Sequence, residues 1–335
     1  MTYSITDVAR EAQVAPSTVS LVLNGKRNVS AQTRSHVKAV IRRMRYKPRK
    51  ARRTPRIAVV YTQNMIVNGV LAEYCRRWIE GVRMSLSTSR SHVSIFAGLS
   101  HVDQDLVFTQ SLDHHEWDGV IMMGAYPKHG YLERVVASGV PMVAFARSPE
   151  HAEFSAVSVN HRAIGSQASA AFHEHGHRKV ALLLGSKETY PGRMLYSGFM
   201  EANQAHGVEL VFDLTTTQSD MSADQVDEAL DQVLASGATA IFGGDPIAQK
   251  LGNALEKRGI TPGRDISILG IDDMGLHTRG GRRITSMGYD KQIMGQIAGQ
   301  MILHLLQMGD HISHQFTVVQ PFLVKGDTLG RVISQ

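Results

Sequence analysis

Cysteine is nearly absent from this chain: Cys75 is the single one in 335 residues. No intramolecular disulfide can form, and no multi-cysteine metal cluster can be built. Aromatic residues make up only 6%, which argues against a broad aromatic binding platform. The longest apolar runs, such as Val140–Ala146 and Val180–Leu184, are strand-sized and far short of a membrane span. No apolar stretch occupies the first ten residues, so no secretory signal peptide is expected, and a reducing, cytoplasmic setting is. The rest is an ordinary globular composition, 43% hydrophobic and 20% charged. It suits two or three domains with a sizeable core and excludes a collagen-like, coiled-coil or disordered chain.

The net charge of +6 hides an asymmetry. Residues 1–56 hold fourteen Lys and Arg against only Asp7 and Glu11, a net of +12, and the remainder carries −6. A basic head on a mildly acidic body is the electrostatic layout of a nucleic-acid binder. A solvated basic tail would have the same charge but no apolar periodicity.

The head has that periodicity. Ser4 to Asp7 reads as a capping box, and Val8, Ala9 and Ala12 then share one helical face. Gln13-Val14 interrupts the helix. Pro16 suits the first position of a second helix, where its missing N–H is no loss. Val19, Val22 and Leu23 give that helix an apolar stripe, and Asn24-Gly25 ends it. Ser30 caps a third helix with Val37, Val40, Ile41 and Met44 on its buried face. Two short helices joined by a tight turn and braced by a third form a helix-turn-helix, whose second helix enters the DNA major groove.

Three segments, Ile5–Ala12, Thr18–Asn24 and Val29–Arg34, closely resemble the head of the lac repressor/galactose repressor (LacI/GalR) family. The resemblance implies that Pro16, Ser17 and Leu21 read bases. It implies that Thr18, Ser20 and Asn24 contact phosphates or the groove edge, and that Ser4 and Arg34 belong to the same DNA face. Three positions depart from the family pattern. Gln13 stands where glycine is usual, Ala15 where a serine cap is usual, and Leu21 where arginine is frequent. Leucine cannot make the bidentate guanine contact but can pack on a thymine methyl, so a different operator is expected.

The linker is short. From Pro48 the chain runs through Arg49, Lys50, Arg52, Arg53 and Arg56 to Ile57. It has no leucine to serve as the minor-groove wedge of the family's hinge helix, and Pro55 discourages helix through Thr54. The linker, Arg52, Arg53 and Arg56 included, is therefore expected to contact phosphates or a narrow minor groove as a flexible basic strand.

From Ile57 onward short apolar runs alternate with amphipathic stretches, over Ile57–Tyr61, His92–Phe96, Gly119–Met123, Val140–Ala146, Val180–Leu184, Ala240–Phe242 and Ile266–Ile271. This rhythm implies parallel sheets covered by helices. The resemblance extends here through Trp117–Ile121, His175–Ala181, Ser197–Phe199, Ile268–Asp273 and Gln320–Thr328. It implies an all-α helix-turn-helix head followed by an α/β periplasmic-binding-protein-like body of two doubly wound parallel-sheet lobes. The expected boundaries are a head over 1–47, a linker over 48–56, an N-terminal lobe over 57–156 and 286–318, and a C-terminal lobe over 157–285 and 319–335. The chain would cross between lobes near 155–158, 284–287 and 317–320.

A small-molecule effector is expected between the lobes, beyond the carboxyl ends of the strands. By resemblance Asp272 is the effector-binding aspartate and Tyr74 an aromatic that packs on the effector. Arg147 ends a strand and suits a carboxylate, phosphate or hydroxyl. Asn160 stands where the family often has aspartate, and Asp245 lies in a Gly-Gly-Asp-Pro run. Tyr289 and Asp290 are expected just after a lobe crossing. Arg193 is two residues before the place of the family's cleft arginine, which here is Leu195.

One catalytic motif matches literally: His173-Glu174-His175-Gly176-His177 fits the zinc-protease pattern H-E-x-x-H. That chemistry needs both histidines one turn apart on a continuous helix, and Gly176 reads as a helix terminus. A zinc hydrolase is therefore the minor alternative, as is a transport-binding protein of the same body fold. The expectation is a non-enzymatic, cytoplasmic transcription regulator with no cofactor. It would bind double-stranded operator DNA as a homodimer, most often as a repressor, under the control of a sugar-like effector.

Overall fold

The structure, a computed structural model, describes residues 3–23, 29–44, 46, 54–61, 66–67, 70–71, 73–87, 89, 91–96, 108, 110–112, 114, 116–123, 131–145, 153–185, 187–215, 221–308 and 314–332. The chain divides into two compact units, residues 1–54 and 55–335.

The smaller unit holds three helices, α1 (Ile5–Glu11), α2 (Pro16–Leu23) and α3 (Ala31–Arg43). α1 opens with a complete capping box. Ser4 Oγ accepts the Asp7 N–H, while the Asp7 carboxylate accepts the Ser4 N–H at 2.8 Å. The bonds to Ser4 hold the Asp7 carboxyl below its ordinary range. Ser30 Oγ accepts the Thr33 N–H at 3.1 Å and so caps α3 as its sequence suggests. The core unites Val8, Ala9, Ala12, Val19, Val22, Val37 and Val40. Tyr46, which the periodicity did not point to, joins them. The turn between α1 and α2 requires a left-handed residue, and Gln13 supplies it at φ +53°. The glycine usual in the resembled pattern would adopt that conformation without steric cost.

In the larger unit β1 (Arg56–Tyr61) leads through a ribbon of β2 (Ile66–Val67) and β3 (Val70–Leu71) into α4 (Glu73–Ser87). Then come β4 (His92–Phe96), β5 (Gly119–Met123), α5 (Tyr131–Ser138), β6 (Met142–Phe145) and β7 (Ser155–Val159). The second set is α6 (His161–Glu174), β8 (Lys179–Leu184), α7 (Tyr190–His206), β9 (Glu209–Thr215), α8 (Ala223–Ala235), β10 (Ala240–Gly243), α9 (Asp245–Lys257), β11 (Ser267–Ile271) and β12 (Thr285–Tyr289). α10 (Lys291–Met308), β13 (Phe316–Val319) and β14 (Pro321–Val324) complete it.

Two six-stranded sheets result, in the orders β13-β7-β6-β5-β1-β4 and β14-β12-β11-β10-β8-β9. The first is parallel throughout. In the second only β14 runs antiparallel, against β12. β1 and β5 are buried along nearly their whole length, as expected of strands covered on both faces.

β7 stays in the first sheet to Val159 and β12 in the second to Tyr289. The chain therefore changes sheet at Asn160, Asp290 and Gln320, the first two a few residues later than the sequence placed them and the third within its expected range. Tyr289 precedes its crossing. After the second change α10 returns to pack on α4 and the first sheet. That approach is close: a Cβ on Gly81 of α4 would fall 2.0 Å from the Gln292 carbonyl oxygen.

Candidate functional site

On the head, Pro16 and Ser17 are exposed at the start of α2, and Thr18, Ser20 and Leu21 are half-buried along it. Their neighbours Val19 and Val22 face the core, at 0% and 4% exposure, so opposite faces of one short helix divide between core and surface. α2 begins without a capping serine. The Ala15 carbonyl accepts from the Thr18 N–H at 2.9 Å, and Ala15 has no side-chain oxygen to take up a further N–H. The Ser4 hydroxyl is occupied: it donates to Asp7 Oδ2 at 2.7 Å. Arg34 is half-buried on α3. Glu11, one of the two acids of the head, pairs with Arg43. Asn24, Arg52 and Arg53 lie outside the described residues.

Arg56 belongs to the body. It opens β1, its guanidinium lies 5.0 Å from the Trp117 ring centroid and 3.6 Å from Glu116 Oε2, and its N–H donates to Asp118. Of the basic residues between Pro48 and Ile57, it is engaged in packing a strand end.

The cleft candidates fall at strand ends, as the topology requires. Asn160 follows β7, Asp245 follows β10, Asp272 follows β11 and Tyr289 ends β12. Two of them meet: Tyr289 Oη donates to Asp272 Oδ1 at 3.1 Å. Burial pushes the Asp272 carboxyl up, and Lys291 and the Tyr289 bond pull it back. Asp272 and Asp273 have φ of +93° and +43°, left-handed values that a residue with a Cβ adopts only where its surroundings impose them. The Asp272 N–H is tied to the Met287 carbonyl at 3.0 Å, across to β12.

Lys291 was not among the sequence candidates, yet it is 3% exposed beside this pair. Its Nζ lies 3.5 Å from the Tyr289 carbonyl oxygen and 4.5 Å from the centroid of the Tyr289 ring. Burial lowers the ammonium, and Asp272 is the first of three aspartates that oppose the shift. The signal available was that Lys291 is the one Lys, Arg, Asp or Glu in the whole of α10. The Tyr289 ring stacks toward Trp78 at 6.5 Å, and Trp78 meets Phe145 at 5.2 Å. An aromatic seam thus joins the ends of β12 and β6 through α4.

The other candidates do different things. Asn160 caps α6, accepting the Ala163 N–H at 3.1 Å, and its amide donates to Gln320 Oε1 at 3.2 Å. Two of the three inter-lobe crossings are thereby tied together. A cavity of about 410 Å³ opens beside it, with Arg162 and Glu201 on its wall. Arg193 is exposed in the first turn of α7, and its guanidinium donates to the Glu188 carbonyl just before that helix. Asp245 is 1% exposed, with both carboxylate oxygens bonded inside the lobe. Tyr74 lies in the first turn of α4, its side chain outside the described residues, as is all of Arg147.

The H-E-x-x-H segment does not lie on one helix. α6 ends at Glu174, and Gly176 is left-handed at φ +86°. His177 is 3% exposed, bonded to Thr239 Oγ1 at 2.9 Å and the Gly330 carbonyl at 3.0 Å. His173 bonds the His206 carbonyl at 2.8 Å. Among the described residues no group of three or more His, Cys, Asp or Glu is placed to hold a metal ion.

Residues 4–49 match the lacI family of bacterial regulatory proteins, and residues 169–329 match a periplasmic binding protein-like domain. Catabolite control protein A of Priestia megaterium is 25% identical over 306 residues, covering 90% of this chain and 92% of that protein. The HTH-type transcriptional repressor PurR of Pectobacterium atrosepticum is 26% identical over 329 residues, covering 96% and 95%. Among solved structures, a complex of the transcriptional regulator CelR with cellobiose superposes with a TM-score of 0.69 at 24% identity, over 97% of this chain and 99% of that one. The lac repressor dimer bound to operator and the anti-inducer ONPF superposes at 0.64 with 21% identity, over 98% and 99%.

Proposed function

The chain belongs to the lacI family of bacterial regulatory proteins, and from that premise we propose a repressor whose effector is a sugar or sugar derivative held between the two lobes. The head binds DNA, with α2 as the helix that enters the major groove. The observation that carries the effector reading is the Asp272–Tyr289 bond at the carboxyl edge of the second sheet. A half-buried carboxylate held by an aromatic hydroxyl suits vicinal hydroxyls, which donate to the carboxylate oxygens. The regulator CelR, of the same fold, is known in complex with cellobiose, which makes that disaccharide the first probe.

Each head is small enough to read one half-site, so the reading includes a homodimer on a near-palindromic operator. An effector that binds the two lobe arrangements with different affinity shifts the balance between them and with it operator affinity.

A thermal-shift screen of cellobiose, other sugars, sugar phosphates and nucleobases tests the effector class. A stabilising sugar whose effect is lost in Asp272→Ala supports it. Stabilisation by a nucleobase alone, or a sugar effect that survives Asp272→Ala, contradicts it. Gel shifts against the protein's own upstream DNA test the operator claim, and weak, fully salt-sensitive, sequence-independent binding contradicts it.

A further inference from the structure

Asp245 opens α9, but its side chain faces inward. Oδ2 accepts the Met274 N–H at 2.6 Å, and Oδ1 accepts the Ser286 hydroxyl at 2.7 Å. Ser286 Oγ in turn accepts the Asp273 N–H at 3.0 Å. One carboxylate therefore holds two consecutive amides of the segment after β11, directly and through a hydroxyl. That segment is the one whose Asp272 and Asp273 are left-handed.

The neighbouring positions make room for this arrangement. A Cβ on Gly270 would fall 1.9 Å from Asp245 Oδ1, and one on Gly288 would fall 2.9 Å from Asp273 Cβ. Any larger residue at Gly270 displaces the carboxylate. On the far side, Arg283 Nη2 donates to Asp273 Oδ1 at 3.3 Å. The turn is thus fixed by α9 on one face and by the β12 segment on the other, leaving the Asp272 side chain to meet Tyr289.

We propose that Asp245 is a positioning residue of the effector site: it does not touch the ligand, but holds the turn that aims Asp272 at the cleft. This rests on the reading of Asp272 as the effector aspartate.

The arrangement also makes the site responsive to pH. Burial pushes the Asp245 carboxyl up to about 7, against the pull of Met274 and Ser286. The charged groups that face it are Asp272 and Asp273 from the turn, Lys291 from α10, and Arg283 through its bond to Asp273. An ionised carboxylate accepts both bonds at full strength, whereas the protonated acid gives up acceptor capacity to its own proton. The turn is held more firmly above neutrality than below. A carboxyl half-ionised near 7 is mostly charged at about pH 8 and mostly neutral at about pH 6, so effector affinity falls over that interval by up to about tenfold.

The test uses the full chain labelled with ¹⁵N-methionine, the Met274 amide resonance being assigned through Met274→Leu. The expected result is a single titration of that resonance centred near neutrality, absent in Asp245→Asn. Asparagine preserves the shape, offering its carbonyl to the Met274 N–H and its amide to Ser286. In calorimetry with cellobiose, the wild-type protein is expected to bind several-fold more tightly at about pH 8 than at pH 6. Asp245→Asn is expected to bind at both with the lower affinity. A Met274 resonance that does not titrate, or an Asp245→Asn protein that keeps the wild-type pH dependence, overturns the proposal. If cellobiose fails to bind the wild type, the choice of sugar fails separately and the Met274 titration decides. Should Asp245→Asn not fold, Ser286→Ala replaces it. Loss of that hydroxyl bond raises the carboxyl further, so the Met274 midpoint must move up, and an unmoved midpoint also overturns the proposal.

Discussion

Tyr289 donates its hydroxyl hydrogen to Asp272 across 3.1 Å, so the last residue of β12 and the first residue after β11 share one bond at the edge of the second sheet. Asp272 and Tyr289 are seventeen residues apart in sequence, and parallel pairing of their strands brings them together. Lys291 is buried alongside, its ammonium 4.5 Å from the centroid of the Tyr289 ring.

Removing either partner separates binding from folding. Asp272→Ala is expected to abolish effector-induced stabilisation, while Tyr289→Phe weakens effector binding by about tenfold, the worth of a hydrogen bond to a charged group. Operator binding without effector stays near the wild-type value in both. Calorimetry and fluorescence anisotropy read the two quantities.

The left-handed Gln13 makes the head less stable than it need be. Gln13→Gly removes the steric cost at φ +53° and is expected to stabilise the head by about 0.5–1 kcal/mol. Gln13→Val is expected to destabilise it by a similar amount or more, because a β-branched residue tolerates that conformation least. Hydrogen exchange at the α1 and α2 amides measures both.

His161 gives the body an acid-sensitive element. Its Nε2 is buried without a hydrogen-bond partner among the described residues, and burial lowers its pKa to about 4. The unfolded chain takes up this proton near 6.5 but the folded one only near 4. Stability is therefore lost as pH falls through that window. Urea melts at about pH 7.5 and 4.5 should show His161→Leu losing roughly 2 kcal/mol less than the wild type on acidification. Equal losses would mean that another group carries the effect.

Salt dependence distinguishes a DNA-binding linker from a solvated one. Arg52→Ala with Arg53→Ala is expected to lower the slope of log affinity against log salt by about 2, roughly one for each phosphate left without its arginine. Arg56→Ala is expected to leave the slope unchanged, because that guanidinium is engaged with Trp117 and Glu116. An unchanged slope for the first pair contradicts a role for the linker in holding DNA.

The head was largely legible in the sequence because local rules decide it: the Ser4 and Ser30 caps, Pro16 at a helix start and the valine stripe all act within a few residues. Most of the buried parallel strands were legible as continuous apolar runs, but β7, Ser-Ala-Val-Ser-Val, was not, because serines interrupt its run although every position is buried. β12, Thr-Ser-Met-Gly-Tyr, was not, because Gly288 leaves room for the Asp273 side chain and Ser286 bonds Asp245, so neither adds to an apolar run. β9 is an edge strand, half exposed, and lacks the apolar run of its neighbours. The candidate site was legible at Asp272 and Tyr289. It was not at Lys291, whose place depends on where the chain changes sheet, nor in the inward turn of Asp245, which depends on the space above Gly270.

The decisive measurement is anisotropy of the full chain on a labelled fragment of its upstream DNA, titrated with and without the sugar that stabilises it in the thermal screen. A sugar-controlled repressor must bind that fragment sequence-specifically, and the sugar must change its affinity by about tenfold or more, in the range of ordinary allosteric coupling, with that change lost in Asp272→Ala. Binding that is independent of sequence, or an affinity that the sugar leaves untouched, would contradict it.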